Sequence, residues 1–398
     1  MSAPVEAVAT ESQGGFAVSP VFHRAAQVAA GAGLGVLVLG LVQAPERALT
    51  SLLTSGFYFL CLGLGGAVFL ALMYVANAGW FTVFKRIPEA FASYVPWGAA
   101  TMLALLPFVT TLYPWAKLGV METDHLLHEK SAFLNVPFFA IRMGVMLAVW
   151  VGFTWMLRRN SLRQDVEHGE VLTRKNVTVS AVFLVLFSLT FCLAAFDWLM
   201  SLEPHWFSTI YALYNVAGLL SSSVCAITVA AVLLHRAGAL PRLNSSHLHD
   251  LGKLMFGFAT LWAYLWFSQF MLIWYANIPE ETVYFIARMH GGWEVPFYLN
   301  VVLNWALPFV LLLPRPAKMN PSHLLRVAGV LLVGRWLDLQ LMVAPAHQPE
   351  GLTVGVYELA GLVGVGALFT LAVTRAVRTS PLLPVGDPYL VESLHHHT

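Results

Sequence analysis

Three ionisable residues lie inside long apolar stretches, where a charge is expensive and needs a reason. Arg335 and Asp338 are three residues apart in the apolar run 323–344, and Glu358 follows in the run 352–374. Residues three apart share one face of a helix. At a rise of about 1.5 Å per residue, each carboxyl group is expected about 9 Å inside the same edge of the membrane.

The connection between these two runs is short, which predicts antiparallel neighbouring helices in which Arg335 serves both acids. Two acids with a single base would leave one carboxyl group holding a proton that it can exchange. Arg335, Asp338 and Glu358 are therefore predicted to form a proton-exchange site or a quinone head-group site. A structural ion cluster that locks two helices together is the alternative, because buried ion pairs often have that role.

A further charge, Arg142, lies near the middle of the run 132–157, which contains no acid. Its side chain is too deep to reach the membrane surface without strain. We expect an acceptor from a neighbouring helix, or a water-filled cavity, to compensate for it.

Titratable residues also gather between two apolar runs. Asp197, Glu203 and His205 lie within the segment DWLMSLEPHW, residues 197–206. Because histidine titrates near neutrality, these three side chains could together pass protons at the membrane surface. A rigid corner of a helical hairpin is the alternative, since Pro204 fits the first turn of a helix.

Polar side chains near the end of the run 252–276 predict a polar inner face that could bind a quinone. They are Ser268, Gln269 and Tyr275. His290 and Glu294 stand at the opening of the next run, and we include them among the candidates for a proton path.

Ligands for redox centres are not evident in the sequence. The fourteen histidines lie in loops, at the ends of apolar runs or in the C-terminal tail, whereas a haem held between helices needs histidines within them. The three cysteines stand singly in apolar runs and form no CxxC pair, which favours small buried apolar residues. The chain is predicted to bind no metal and no redox cofactor of its own.

The elements that must position these residues are membrane-spanning helices. Of the 398 residues, 58% are hydrophobic and 11% are charged, and the mean hydropathy is +0.70; soluble domains carry about 25% charged residues. The net charge of +1 argues against a nucleic-acid partner. We predict an all-α integral membrane protein, with one polytopic domain over 1–398 and short tails at 1–22 and 376–398. The ten apolar runs long enough to span a membrane are 24–43, 51–76, 92–113, 132–157, 176–197, 206–234, 252–276, 293–314, 323–344 and 352–374.

Lysine and arginine are unevenly divided between the two sets of loops. Sixteen lie in one set and four in the other, and loops rich in basic residues stay in the cytoplasm. Both termini are therefore predicted to be cytoplasmic, with no cleavable signal peptide. The opposite loops are short, aromatic and acidic, which favours a docking face for a partner, with plain tight turns as the alternative.

Two segments resemble a known family. FDWLMSLEPHWFSTIYALYNVAG, residues 196–218, and LGKLMFGFATLWAYLWFSQFMLIWYANIPEET, residues 251–282, closely resemble the F subunit of bacterial alternative complex III. That subunit belongs with the polysulfide-reductase-type (NrfD-like) membrane subunits of the bacterial cytoplasmic membrane. The resemblance implies two four-helix bundles with two additional helices. It also implies partner subunits that carry the electrons: a related quinol-binding membrane subunit, an iron–sulfur subunit and haem c subunits.

The function expected from this resemblance is that of a non-redox membrane subunit of a quinol:cytochrome c oxidoreductase. Such a subunit would support assembly, and proton translocation or contact with quinone are further roles implied for the family. A proton-coupled secondary transporter is one alternative, although transporters are often built from inverted repeats and no repeat is visible here. The quinol-oxidising anchor of a polysulfide-reductase-type molybdoenzyme is the other.

Overall fold

The computed structural model describes residues 16–167 and 169–397. Within them, ten helices are long and apolar enough to cross a membrane, so the chain is an all-α multi-pass membrane protein. We number them α1 to α10 in chain order: Pro20–Gln43, Pro45–Val75, Arg86–Leu112, Val136–Glu167, Val171–Leu202, Ile210–Arg236, Ser245–Ala276, Glu294–Leu312, Pro321–Ala346 and Val356–Thr379.

All ten predicted spans are confirmed, and the differences lie at their ends. α4 continues to Glu167 rather than ending at 157, because the polar sequence RRNSLRQDVE stays helical beyond the apolar run. α10 begins at Val356 rather than at 352. This shift of about one turn changes the interpretation of Glu358, as described below.

Two spans are interrupted between α-helical segments. In α3, the α-helical segments Arg86–Ala92 and Val95–Leu103 are separated by a short turn. In α8, a π-helical turn at Val302–Ala306 separates the α-helical segments Glu294–Val301 and Leu307–Leu312. π-turns insert an extra residue into a helix and occur frequently at functional sites.

The helices pack as two four-helix bundles and a pair. α2 to α5 form one bundle and α6 to α9 form the other, while α1 and α10 pack together against α2. The α1–α10 contact is close, since a β-carbon added at Gly33 would lie 2.5 Å from Cα of Gly364. Because α2 also contacts α5, α6 and α9, it is the central helix of the molecule.

The two ends of the helix bundle differ in charge, and we name them accordingly. The basic end contains both ends of the described chain and the loops after α2, α4, α6 and α8; the acidic end contains the loops after α1, α3, α5, α7 and α9. At the basic end, the backbone N–H of Phe16 donates to the carbonyl of Val377 at 3.3 Å. The C-terminal segment also packs there, with Lys85 Nζ 2.5 Å from the carboxylate of Asp387.

Candidate functional site: a buried polar cluster around Asp338

Six polar side chains meet inside the α6–α9 bundle, and we call them the Asp338 cluster. Arg335 and Asp338 lie one turn apart on α9 and form an ion pair, as their spacing predicts. Both are almost completely buried. The other four members come from neighbouring helices and are Tyr214, Asn215, Trp262 and Asn300.

The carboxylate of Asp338 accepts hydrogen bonds from three further helices. The hydroxyl of Tyr214 on α6 donates to Oδ1. Trp262 Nε1 on α7 donates to Oδ2 at 3.0 Å, and Asn300 Nδ2 on α8 donates to Oδ1 at 3.0 Å. Because every contact made to Asp338 is a donor, the site is arranged around a hydrogen-bond acceptor.

The guanidinium of Arg335 completes the cluster on the side of α6. Its Nη2 donates to Oδ1 of Asn215 at 2.9 Å, while its Nε has no hydrogen-bond partner among the described residues. Gly218 makes room for this group, since a β-carbon at that position would collide with the guanidinium carbon. A small residue one turn after Tyr214 is therefore needed for Arg335 to reach α6.

The π-turn of α8 orients Asn300 towards Asp338. Asn304 Nδ2 donates to Oδ1 of Asn300 at 2.7 Å, which leaves the amide nitrogen of Asn300 free to face Asp338. Gly334 on α9 accommodates Asn304, whose side-chain atoms lie 3.0 Å from where a β-carbon would be. The π-turn of α8 and Gly334 on α9 thus both support the hydrogen bond from Asn300 to Asp338.

A cavity of about 20 Å3 lies between Asp338 and the acidic end. It holds about one water molecule and is too small for a quinone ring. Nε2 of Gln269 is buried here without a hydrogen-bond partner among the described residues. Together with the polar side chains of Asp338 and Asn300 in the lining, it makes the cavity polar enough to hold water. The residues that line it are Tyr214, Trp266, Gln269, Tyr284, Phe285, Arg288, Phe297, Asn300, Asp338, Leu341 and Met342.

On the far side of this cavity, Arg288 pairs with Glu203. Arg288 lies in the short helix Pro279–Met289 and is 2% exposed. Its Nη2 donates to Oε1 of Glu203 at 2.5 Å, and its Nε donates to the carbonyl of Leu341 at 2.7 Å. Burial opposes the charge, but Tyr284 and Glu203 outweigh it and raise the pKa of Arg288. Since a quarter of the Glu203 side chain is exposed, this pair joins the cavity to the surface.

The prediction that Arg335 serves Glu358 as well as Asp338 is wrong. Glu358 pairs with Arg47 instead, with Arg47 Nη2 at 2.9 Å from Oε2, and it also accepts the backbone N–H of Gly355 at 2.8 Å. Because α10 begins at Val356, Glu358 lies in its first turn and satisfies the free N–H groups there.

The predicted neighbour relation between α9 and α10 is also wrong. α10 packs against α1 and α2, whereas α9 packs against α6 and α2. The nine residues 347–355 that connect them are long enough, at about 3.3 Å each, to pass across the end of α2. Asp338 and Glu358 therefore belong to different sites, and the argument from two acids with one base no longer applies.

The predicted group of Asp197, Glu203 and His205 is divided among three partners. Asp197 is buried and binds Arg142, while Glu203 binds Arg288. His205 lies at the surface and its Nε2 is 2.6 Å from Oδ2 of Asp124. Of the three, only Glu203 contacts a residue that lines the cavity, namely Arg288. Asp197, Glu203 and His205 therefore do not form one proton relay.

Arg142 has the acceptor from a neighbouring helix that the sequence predicts. Its Nε and Nη2 donate to the two carboxylate oxygens of Asp197 at 2.7 and 2.9 Å, and its Nη1 donates to the carbonyl of Phe133 at 2.8 Å. The rings of Phe133 and Phe138 lie 3.8 and 4.4 Å from the guanidinium carbon. This geometry fixes α4 to the end of α5 and supports the structural interpretation of that corner.

The remaining predicted site residues differ in their exposure to solvent. Gln269 lines the cavity, whereas Ser268 is half-buried and Tyr275 is 83% exposed, so the predicted polar inner face is reduced to Gln269. His290 is exposed. Glu294 accepts the backbone N–H of Gly292 at 3.0 Å, which is a local contact at the start of α8.

Sequence reasoning missed most of the cluster. Asn215 and Asn300 carried a usable signal, because an amide inside an apolar span needs a partner. Tyr214 and Trp262 carried none, since aromatic residues are common throughout these helices. Arg288 is one of the four basic residues counted in the less basic set of loops, and nothing in the sequence assigned it a role.

Comparisons with known proteins add no family. No protein-family model matches the chain, and the search of curated proteins found no match. Among the described residues, no three histidine, cysteine, aspartate or glutamate side chains come together as a metal site would require.

Proposed function

We propose that this chain is a non-redox membrane subunit of a bacterial complex that oxidises quinol and passes the electrons to cytochrome c or a similar acceptor. The support is the resemblance of residues 196–218 and 251–282 to the F subunit of alternative complex III. These two segments supply Tyr214, Asn215 and Trp262, half of the Asp338 cluster. The stretches that carry the resemblance therefore also carry the buried polar chemistry.

The observation that carries a role in proton movement is the polar route from Glu203 to Asp338. Glu203 is partly exposed and pairs with Arg288, Arg288 lines the cavity, and Asp338 lines its other side. One water in that cavity would contact both the buried carboxylate of Asp338 and Arg288. Because a guanidinium does not release its protons, Arg288 would hold Glu203 beside the water while the proton passes between the water and Glu203. We assign Glu203 the role of proton entry or exit and Asp338 the role of inner acceptor.

The route stops at the Asp338 cluster. A cavity between α2, α6 and α7 has a volume of about 20 Å3 and is mostly apolar, with Phe69, Leu220 and Phe258 in its wall. At the basic end, a separate network lies in the other bundle, where Arg86 and Ser161 each bond to Glu89 at 2.5 Å. Two polar networks that enter from opposite ends, one in each bundle, support the proposed role in proton movement.

Proton movement is tested with Asp338→Asn in the whole complex, reconstituted in vesicles and supplied with quinol. We expect a lower ratio of protons moved to electrons transferred, because the amide cannot take up the proton. Glu358→Gln is the matched control, since it also neutralises one buried acid but lies outside the route, and it should keep the ratio. Equal ratios in wild type and in stable Asp338→Asn complex would mean that the cluster is structural.

Membership of the complex is tested by purification in mild detergent. We expect the chain to travel with iron–sulfur and haem c subunits and to show no haem absorption when isolated. A molybdoenzyme partner in their place would identify the polysulfide-reductase-type alternative. Purification as an isolated chain that moves a solute with protons would favour the transporter.

We further propose that the basic end faces the cytoplasm of a bacterial inner membrane. The sixteen-to-four division of basic residues supports this. A reporter enzyme that is active only in the cytoplasm, fused after the last residue, should be active. Activity of a periplasmic reporter at the same position would reverse the orientation.

A further inference from the structure

A large groove at the basic end is not used by the proposed proton route. It lies between α3 and α4 and has a volume of about 610 Å3. Its wall contains the turn that interrupts α3, where Ser93 and Pro96 leave space beside α4. The lining combines apolar residues, among them Pro96, Trp155 and Leu162, with three arginines of α4.

The three arginines of the groove, Arg158, Arg159 and Arg163, have an incomplete set of partners. Arg163 is paired with Glu167 at 2.6 Å, the only acid in the lining. Arg159 lies over the ring of Trp155, 4.8 Å from its centroid. Arg158 is half-buried and makes no hydrogen bond or ion pair with any described residue.

Nearby acids do not neutralise the excess positive charge of the groove. Glu89 acts on Arg158 electrostatically, but its carboxylate is already bonded to Arg86 and to Ser161, both at 2.5 Å. Asp165 is likewise bonded to Arg86. The groove therefore offers two unneutralised guanidinium groups to an anion.

The length of α4 places these arginines at the depth of lipid head groups. α4 has 32 residues, and a helix of that length is about 48 Å long, whereas the hydrocarbon core is about 30 Å thick. The last turns of α4, which contain Arg158, Arg159 and Arg163, thus extend beyond the hydrocarbon. Trp155 lies one turn deeper, at the level where tryptophan concentrates in membrane proteins.

We propose that this groove binds an anionic phospholipid. Its phosphate would contact Arg158 and Arg159, because guanidinium groups match phosphate oxygens in geometry and charge. An acyl chain would lie along Pro96 and Trp155 towards the hydrocarbon. Basic pockets between spanning helices are a recognised type of site for acidic head groups. This site is independent of quinol oxidation and of the Asp338 route.

The test uses the full chain in detergent, stripped of lipid and titrated with cardiolipin, phosphatidylglycerol or phosphatidylcholine while bound lipid is counted by native mass spectrometry. We expect the two anionic lipids to bind and phosphatidylcholine to bind at least about tenfold more weakly. Arg159→Gln with Arg163→Gln, which spares the half-buried Arg158, should weaken binding of the anionic lipids about tenfold. The triple variant, which adds Arg158→Gln to these two substitutions, should retain no anionic lipid.

The matched control is Arg174→Gln with Lys175→Gln, which removes two exposed charges from the same end outside the groove. It should bind lipid as the wild type does. Equal loss in the control would mean that net charge alone attracts the lipid, and the site would be withdrawn. Full displacement of cardiolipin by millimolar inorganic phosphate would also overturn the proposal, because a free anion would then be the ligand.

Discussion

Two buried arginine–aspartate pairs in this protein use the same side chains in different ways. Arg142 and Asp197 join two helices, and each carboxylate oxygen accepts a hydrogen bond from one nitrogen of the guanidinium. Arg335 and Asp338 lie on one helix, and their remaining contacts come from three other helices. In the first pair, Arg142 bonds to both oxygens of the carboxylate, and we call this pair the clamp. In the second pair, the carboxylate also accepts hydrogen bonds from three other side chains, and we call this arrangement the network.

The difference lies in what each pair leaves behind when it is removed. Around Arg142 and Asp197, the other contacts are a backbone carbonyl and aromatic rings, which tolerate an apolar replacement. Around Asp338, the Tyr214, Trp262 and Asn300 donors would be buried without an acceptor. Buried unsatisfied donors each cost about 1–3 kcal/mol, so only the second pair is expected to be irreplaceable by packing.

The largest effect is expected from replacing each pair by leucine. Arg335→Leu with Asp338→Leu should lower the free energy of unfolding by at least about 3 kcal/mol more than Arg142→Leu with Asp197→Leu, because three donors lose their acceptor. Replacement of a simple buried ion pair by apolar residues is often close to neutral. Unfolding in mixed micelles with increasing denaturing detergent measures both variants. Equal losses would remove the distinction between clamp and network.

A smaller effect is expected from filling the space beside Arg335. Gly218→Ala forces the guanidinium away from Asn215 and should destabilise the protein by about 1–3 kcal/mol, as overpacking usually does. Gly144→Ala on α4 is the control, since nothing lies within 4 Å of its added β-carbon. It should be neutral or slightly stabilising, because alanine favours a helix more than glycine does. Similar behaviour of both variants would mean that Arg335 has a second position of equal energy.

Removing the charge of Glu358 should have a still smaller effect. Its partner Arg47 is 36% exposed at the side chain, and partly exposed ion pairs contribute about 1 kcal/mol or less. Glu358→Gln keeps an oxygen for the N–H of Gly355 and should therefore lower stability by less than about 1 kcal/mol. A loss as large as that of the double variant Arg335→Leu with Asp338→Leu would show that α10 depends on this pair as the α6–α9 bundle depends on the Asp338 cluster.

The smallest effect concerns the surface contact between His205 and Asp124. The hydrogen bond from His205 and the backbone N–H of Leu127 lower the pKa of Asp124. A lowered pKa stabilises the folded loop above the ordinary aspartate value of about 3.9, and that contribution disappears as the pH falls through the lower folded value. A spin label at the exposed position Leu118 should gain mobility only at such low pH, and Asp124→Asn should remove the transition. Unchanged titration in Asp124→Asn would assign the motion to another group.

Hydropathy was sufficient for the ten spans, because each apolar run is long enough to need a helix across the membrane. The Arg335–Asp338 pair also followed from spacing alone. Glu358 was misassigned since an apolar run does not fix where a helix begins, and a shift from 352 to Val356 moved it from the interior to the first turn.

The rest of the Asp338 cluster depends on which helices are neighbours. Asn300 and Tyr214 are far from Asp338 in the chain and meet it only because α6, α8 and α9 pack together. Spacing within one segment contains no such information. The short connection predicted that α9 and α10 are neighbours. They instead lie on different sides of α2, which packs against both of them.

The π-turn of α8 makes the cluster sensitive to how one turn of this helix is wound. Each residue of an α-helix advances the chain by about 100° around the axis, whereas the π-turn between Val302 and Ala306 takes one extra residue into a single turn. If the same residues wound as a regular α-helix, Asn300 would turn by about 100° away from Asp338, with no change in the composition or hydropathy of the span. In this helix, the direction of a functional side chain depends on backbone winding that neither hydropathy nor composition records.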